Sequence, residues 1–596
     1  MSRLLWSAWI LGLAALFFAT GLSCIRGNSQ TFDEAVHVGA GYSYWVTGDF
    51  RLNQSHPPLV FELATLPPLL LHHPPFRPRP EAWDNVSTLT EYQLGNEFLY
   101  RAPVPADQLL ALCRLPPLAI GTLLVLLCGW WAHRLWGPRA GVVALAAAAL
   151  DPNLVAHAAL VNNDVAAALF IFASVYLFWE WLAAPRPVLF FWLSLVMSLG
   201  LLAKYSCAVT PVILTAIGAG YVLCLWRAGA GAFPAARGLL VGLTLHFSIA
   251  AVTIAATFHL VYLFHGGDGF RLWLGGVGAV FQHFDQGHPA YLLGQVSDSG
   301  WWYYFPVVMA VKTPLGLLAL LACSLLFWRR GPSDKPADLL SLLVPPAILM
   351  AGAMVSGLDI GLRHVLPVYP FFFVLASRVV AGGRSAVRTA PLLAALALGA
   401  IALSSLSLTP HQLSYFNELA GGPGQGHRYA SDSNLDWGQD LRALADHVRR
   451  ARLGRIYLCY FGTTPLSYYG LDYRWVPGND DWGFYSDVEA FSPSSWDPAG
   501  PEILAISLFK MHGLVPQEIR GFYDRLFLCK SVGRIGYSIY LFDLRQEPMA
   551  RKCLIDAYVR AGATEFASRE LSRLVAQSPA FPLEPELRRL LPPARR

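Results

Sequence analysis

Apolar residues in this chain gather into eleven blocks, at 4–22, 112–133, 140–158, 165–183, 187–203, 207–226, 238–264, 303–328, 337–357, 365–382 and 389–408. A helix needs about 20 apolar residues to cross a hydrocarbon layer of ~30 Å. The pattern therefore predicts a mainly α, polytopic transmembrane bundle of about 11 spans over 1–409. Polar positions concentrate between the blocks: in the long segment 23–107, in DPNLVAHAALVNND (151–164), in 265–302, in GLDIGLRH (357–364) and in everything after 408. Beyond 408 the periodicity changes. RIYLCYF (455–461), EILAISLF (502–509) and YSIYLFDL (537–544) read as strands, and LDWGQDLRALADHVRRA (435–451) as a helix. Their alternation predicts an α/β domain over 410–548. The last stretch, 549–596, contains AYVRAGATEFASRELSRLVAQSP (557–579) and predicts a helical tail resembling one tetratricopeptide unit. A single unit cannot bury its own face, so it is expected to pack on its neighbour.

Composition agrees with a membrane protein. The 596 residues are 55% hydrophobic and 14% charged, against about 25% charged in soluble domains. The net charge of +5 is small for this length and gives no reason to expect a nucleic acid partner. Nine cysteines include Cys113, Cys128, Cys207, Cys224 and Cys323 in apolar segments and form no CxxC, which implies neither a metal nor a disulfide framework. The first block lacks a small-residue cleavage site and is expected to be a retained helix.

Basic residues orient the bundle. With the N-terminus in the cytoplasm, the inner connections hold Arg134, Arg139, Arg186, Arg227, Arg237, Arg329, Arg330, Lys335, Arg378, Arg384 and Arg388, and the short outer ones only Lys204 and Arg363. All the polar segments then face one side, the extracytoplasmic one. The inner loops are short, so a working site is expected outside.

Two adjacent carboxylates, Asp33 and Glu34, follow the first block. One reading is a capping box, with Thr31 three residues before Glu34. The other is a general base that deprotonates an acceptor hydroxyl or amine, with His37 on the same helical face as Asp33. In QSHPPLVFELATLPPLL (54–70), His56 stands before a proline-pinned amphipathic helix expected at the interface; it is a loop histidine or a hydrogen-bond donor to a phosphate. Asp164 opens an apolar helix as an N-cap or a functional acid. Lys204 and Arg363–His364 sit at outer span ends, where snorkelling and an anion site are the two readings. The aromatic clusters TFHLVYLFHGG (257–267) and GWWYYFP (300–306) suit an interfacial belt, or rings that grip a sugar or a prenyl chain. No Walker loop or HExxH is present, and SDSNLD (431–436) lacks the spacing of a nucleotide-sugar metal clasp. Asn85-Val86-Ser87 is a formal glycosylation sequon.

FDEAVH (32–37), HPPLVFEL (56–63), NNDVAAALF (162–170) and RHVLPVYPFFF (363–373) together resemble the GT-C glycosyltransferases. The branch is that of protein O-mannosyltransferases and aminoarabinose transferases, and the resemblance covers about 20–410. It implies a polyprenyl-phosphate sugar donor, inversion at the anomeric carbon, a bacterial inner membrane and no certain cofactor, a divalent metal being optional. It implies Asp33 as the catalytic acid of the first loop, Glu34 as its companion, and His56, Asp164, Lys204, Arg363 and His364 around the donor phosphate. Glu62 stands where the mannosyltransferases carry a lysine, and segment 265–302 is too short for their β-trefoil insertion. The acceptor, whether protein, lipid or glycan, is left open. So are a flippase or transporter of lipid-linked sugars and an oligosaccharide ligase of the same fold.

Overall fold

The structure is a computed structural model that describes residues 2–227, 232–263, 268–286, 288–326, 335–381, 389–479, 502–515 and 520–591, without the side chains of 3, 232–246 and 281–286. The expectations resting on Arg237, Arg329, Arg330, Arg384 and Arg388 lie outside what is described.

Each of the eleven apolar blocks is helical. Among the described residues, six helices are long and apolar enough to cross a membrane: Leu4–Gly27, Ala106–Trp136, Asp164–Ala183, Tyr205–Arg227, Pro336–Ser356 and Ala390–Ser407. Pro138–Leu150 with Pro152–Ala158, and Tyr304–Lys312 with Leu315–Leu326, are bent by 60° and 107° and raise the number to eight if each pair is one span. This is an integral multi-pass membrane protein. The blocks at 187–203, 238–264 and 365–382 fall short as single spans among the described residues, and the last divides into Leu362–Val368 and Tyr369–Ser377. The bend after Leu150 follows from Asp151, whose carboxylate caps Leu154 N at 2.8 Å and starts a new helix.

The segment after the first helix folds inward. Helix Glu34–Thr47 is buried from Glu34 to Tyr44 and stops at Gly48, whose φ of +69° is the left-handed cap glycine adopts without strain. Helix Leu59–Leu71 buries Leu59, Val60, Phe61, Glu62, Ala64, Thr65 and Pro68. It is therefore packed into the protein on one side rather than simply laid along an interface. The described residues of the segment 265–302 carry regular structure. They form the helix Asp268–Gln286 and a hairpin of β1 (Ala290–Leu292) and β2 (Gln295–Ser297), turned by Leu293 and Gly294 at φ +51° and +86°. The aromatic clusters split: Phe258, Tyr262, Tyr304 and Phe305 are buried, while Trp302 is exposed.

All three strands expected in the tail are present. β3 (Ile456–Cys459), β4 (Tyr473–Trp475), β5 (Ile503–Ser507), β6 (Gly533–Ile535) and β7 (Ile539–Asp543) form one sheet in the order β4-β3-β5-β7-β6. β3 runs parallel to β4 and β5, with Leu458 opposite Ala505, and β7 runs antiparallel to β5 and β6. The helix expected at 435–451 begins only at Leu441. Residues 410–440 carry short 3-10 turns instead and are largely buried against the membrane helices. Helices Pro548–Arg560 and Thr564–Gln577 form the expected pair and share the sheet's core through Leu554, Tyr558 and Leu571.

Candidate functional site

Four helix ends meet where the polar segments converge. Asp33 is the N-cap of Glu34–Thr47 but makes no side-chain cap bond, so its carboxylate is turned elsewhere. Asp164 is the first residue of Asp164–Ala183, Lys204 the C-cap of Pro187–Ala203, and Arg363 lies in the turn Leu362–Val368. An acid at a helix start and a cation at a helix end are each favoured by the backbone dipole.

The structure brings these groups into one charged cluster. Arg363 Nη1 stands 3.6 Å from Asp33 Oδ2 and 3.9 Å from Asp164 Oδ2. Lys204 Nζ pairs with Asp164 Oδ1. Tyr92 donates its hydroxyl to Asp33 Oδ1 at 3.0 Å. Asp33 remains 23% exposed, whereas Asp164 is fully buried. His37 anchors the wall: its Nδ1 contacts Val161 O at 2.6 Å, its ring stacks on Phe61 at 4.4 Å, and it meets His56 edge-on at 5.3 Å. His56 Nδ1 lies 3.0 Å from Asn53 Oδ1. Burial, with His37, Lys204 and Arg363 nearby, holds His56 well below the usual histidine pKa. Burial, Lys204 and Arg363 do the same to His364. Both rings are thereby biased towards the neutral form.

Three buried polar atoms here have no hydrogen-bond partner among the described residues: Asp164 Oδ2, Arg363 Nε and His364 Nε2. Such atoms are costly unless something satisfies them. A cavity of about 790 Å³ opens beside His56, lined among others by Tyr44, Arg51, Asn53, Tyr205 and Arg271. Asn53 Nδ2 is buried there without a partner. Two adjacent cations, one with an unpartnered Nε, can bind an anion, and a partly exposed carboxylate next to them can take a proton from an incoming group.

No protein-family model matches the chain. No curated protein matches it either. Solved structures similar to it include two of the same protein. One is ArnT from Cupriavidus metallidurans in the apo state, 15% identical, aligned over 90% of this chain and 97% of that one, with a TM-score of 0.45. The other is ArnT from the same organism bound to undecaprenyl phosphate, 15% identical over 90% and 98%, with a TM-score of 0.43.

Glu34 is placed apart from its neighbour. It is buried and accepts from Arg114 Nε and Nη2 (2.8 and 2.6 Å), Val161 N (2.9 Å) and Thr31 N and Oγ1 (2.8 and 2.9 Å). Burial alone would raise its carboxyl, but Arg114 and these donors hold it below the usual range. Both oxygens of Glu34 are engaged by these donors, whereas the Asp33 carboxylate faces the charged cluster. The capping-box reading holds in its reciprocal half, since Glu34 reaches back to Thr31 N. Arg114 escaped attention in the sequence, although a lone arginine in ALCRLPPL, at the edge of an apolar block, signals a buried partner.

The tail contributes as well. Asp432, in the left-handed region at φ +57°, is raised by burial, opposed by His288 and Arg363 and reinforced by Asp33, so it lies within reach of the same field. Trp437 places its ring 4.5 Å from the Arg363 guanidinium. Among the described residues, no group of three or more His, Cys, Asp or Glu is arranged to hold a metal ion.

Proposed function

We propose that the protein is a membrane glycosyltransferase that moves a sugar from a polyprenyl-phosphate donor to an acceptor on the extracytoplasmic side, with inversion. One observation carries this reading: a partly exposed carboxylate, Asp33, held 3.6 Å from an arginine whose Nε is unpartnered, in a protein whose core is a membrane bundle. A base and an anion site side by side, reachable from lipid, suit a donor whose leaving group is a lipid phosphate.

The residues then divide the work. The phosphate of the donor docks on Arg363 and Lys204, with neutral His56 and His364 as further hydrogen-bond partners. The sugar occupies the cavity beside His56. Asp33, steadied by Tyr92, takes the acceptor proton as the acceptor attacks the anomeric carbon. The bond from that carbon to the phosphate oxygen breaks, and its electron pair stays on the departing polyprenyl phosphate. Cations aimed at the oxygen where charge develops lower the barrier. Inversion needs one displacement and no protein nucleophile, which accords with Glu34 being sealed and Asp164 being paired. The basic-residue pattern supports a cytoplasmic N-terminus and an extracytoplasmic tail, and the resemblance to the GT-C branch implies a bacterial inner membrane. The acceptor is a protein, lipid or glycan.

The test is an assay of purified protein with labelled polyprenyl-phosphate sugar and candidate acceptors. Transfer yields a new glycosidic bond, whereas a flippase would move the donor intact. Asp33→Asn is expected to lower turnover by at least ~100-fold, the lower range for loss of a general base, with no change in Tm. Wild-type turnover in that variant would refute the base assignment.

A further inference from the structure

The loop after the first helix, the Arg363 turn and the bent span at Tyr304–Lys312 are tied together by one stretch of the tail, residues 431–440. Ser433 Oγ donates to Ile360 O at 2.7 Å, and Leu362 N donates to Asn434 Oδ1 at 3.0 Å, so the tail grips the turn on both sides of Gly361. A Cβ at Gly361 would lie 2.2 Å from Ser433 Oγ, which explains the glycine. Asn434 Nδ2 donates to Tyr304 Oη at 2.9 Å, and Lys312 Nζ donates to Asn434 O. On the opposite side, Phe32 N donates to Trp437 O and Ser29 N to Gln439 O, both at 2.9 Å. The segment thus bridges the loop bearing Asp33 and the turn bearing Arg363.

Within that bridge, Trp437 is 3% exposed. Its ring faces the Arg363 guanidinium at 4.5 Å and meets His157 edge-on at 6.2 Å. The ion contacts of Arg363, at 3.6 and 3.9 Å, are long. A long, rotamer-rich side chain with only loose ion contacts is poorly fixed. A planar guanidinium stacked on an indole face is held in plane while its N–H groups stay free for an anion.

We propose that Trp437 is a positioning residue for Arg363, so that the tail completes the phosphate-binding pocket of the membrane bundle. This rests on the assignment of Arg363 to the donor phosphate given above. Trp437 makes no contact with the reacting atoms in this scheme; it acts by aiming the guanidinium between Asp33 and Asp164.

The experiment is a cycle of full-length variants, Trp437→Leu, Trp437→Met, Trp437→Phe, Arg363→Ala and their combinations, titrated with a short-chain polyprenyl phosphate in detergent. Trp437→Leu and Trp437→Met are expected to weaken binding ~10-fold, the scale of a desolvated cation–π contact, and Trp437→Phe by no more than ~3-fold. In the Arg363→Ala background the same changes are expected to cost less than ~2-fold, because their route of action is gone. In turnover assays the donor KM is expected to rise more than kcat falls. Equal losses in both backgrounds, or a Phe variant as impaired as Leu, would overturn the proposal. Unchanged lipid binding in Arg363→Ala alone would instead remove the phosphate assignment. The Trp437–Arg363 link is then read without lipid, in thermal unfolding: Tm shifts smaller in combination than their sum support it, and additive shifts refute it.

Discussion

Asp33 and Glu34 are neighbours in sequence with opposite surroundings, and the difference is decided by what each carboxylate meets. Asp33 keeps a partly exposed oxygen near Arg363, while Glu34 is closed around Arg114. Removing one partner of a buried, hydrogen-bonded ion pair costs about 3–5 kcal/mol, since the other charge is left uncompensated. Glu34→Gln and Arg114→Met are therefore expected to lower Tm and the yield of folded protein, as measured by thermal unfolding in detergent. Asp33→Asn, by contrast, is expected to lower turnover and leave Tm in place. The sequence shows the doublet but not this division, because Arg114 lies 80 positions away and meets Glu34 only after folding.

The tail's elements illustrate how far pattern reaches. β3, β5 and β7 are legible in their apolar runs, whereas β4 and β6 are only three residues each and are defined by the neighbours they pair with. The helical pair after 547 is legible too, and its attachment is not. Arg551, wholly buried, bonds to both Glu502 beside β5 and Glu570 on the second helix, and Tyr457 Oη donates to Glu570 at 2.6 Å. Arg551→Met is expected to destabilise the protein by about 3–5 kcal/mol on the same reasoning; a chemical unfolding curve checks this. At the junction of tail and bundle, His411 faces Asp440 at 3.4 Å. Burial alone would lower the His411 pKa, but Asp440 outweighs it and the pKa is raised. A histidine raised on folding adds stability below its unfolded value of about 6.5, and that contribution disappears as pH climbs through the folded value. The Tm difference between wild type and His411→Gln is expected to be largest below pH ~6.5 and to close at alkaline pH.

For the whole molecule, the proposed function requires Asp33 to lie outside the cytoplasm, which labelling can test. In a variant with the nine free cysteines replaced, a cysteine at the exposed position 84 is expected to react with an impermeant thiol reagent added to intact cells. One at the exposed position 139 is expected to react only after permeabilisation. The reverse pattern would place the cluster in the cytosol and end the lipid-phosphate reading. The tail is also part of this question, because residues 431–440 join the loop of Asp33 to the turn of Arg363. The tail's lower hydrophobicity suggests a separate appendage, yet its first thirty residues are built into one end of the bundle.

Sequence alone determined the helical blocks, the helix-end positions of Asp33, Asp164 and Lys204, and three strands of the tail, because each follows from local periodicity and short-range propensity. Tertiary structure alone decided that Glu34 is closed off by Arg114, that Arg363 stands between two acids, and that Trp437 reaches back to it. Those facts depend on contacts between residues tens to hundreds of positions apart, set by how helices pack and where turns meet, and no local pattern records them.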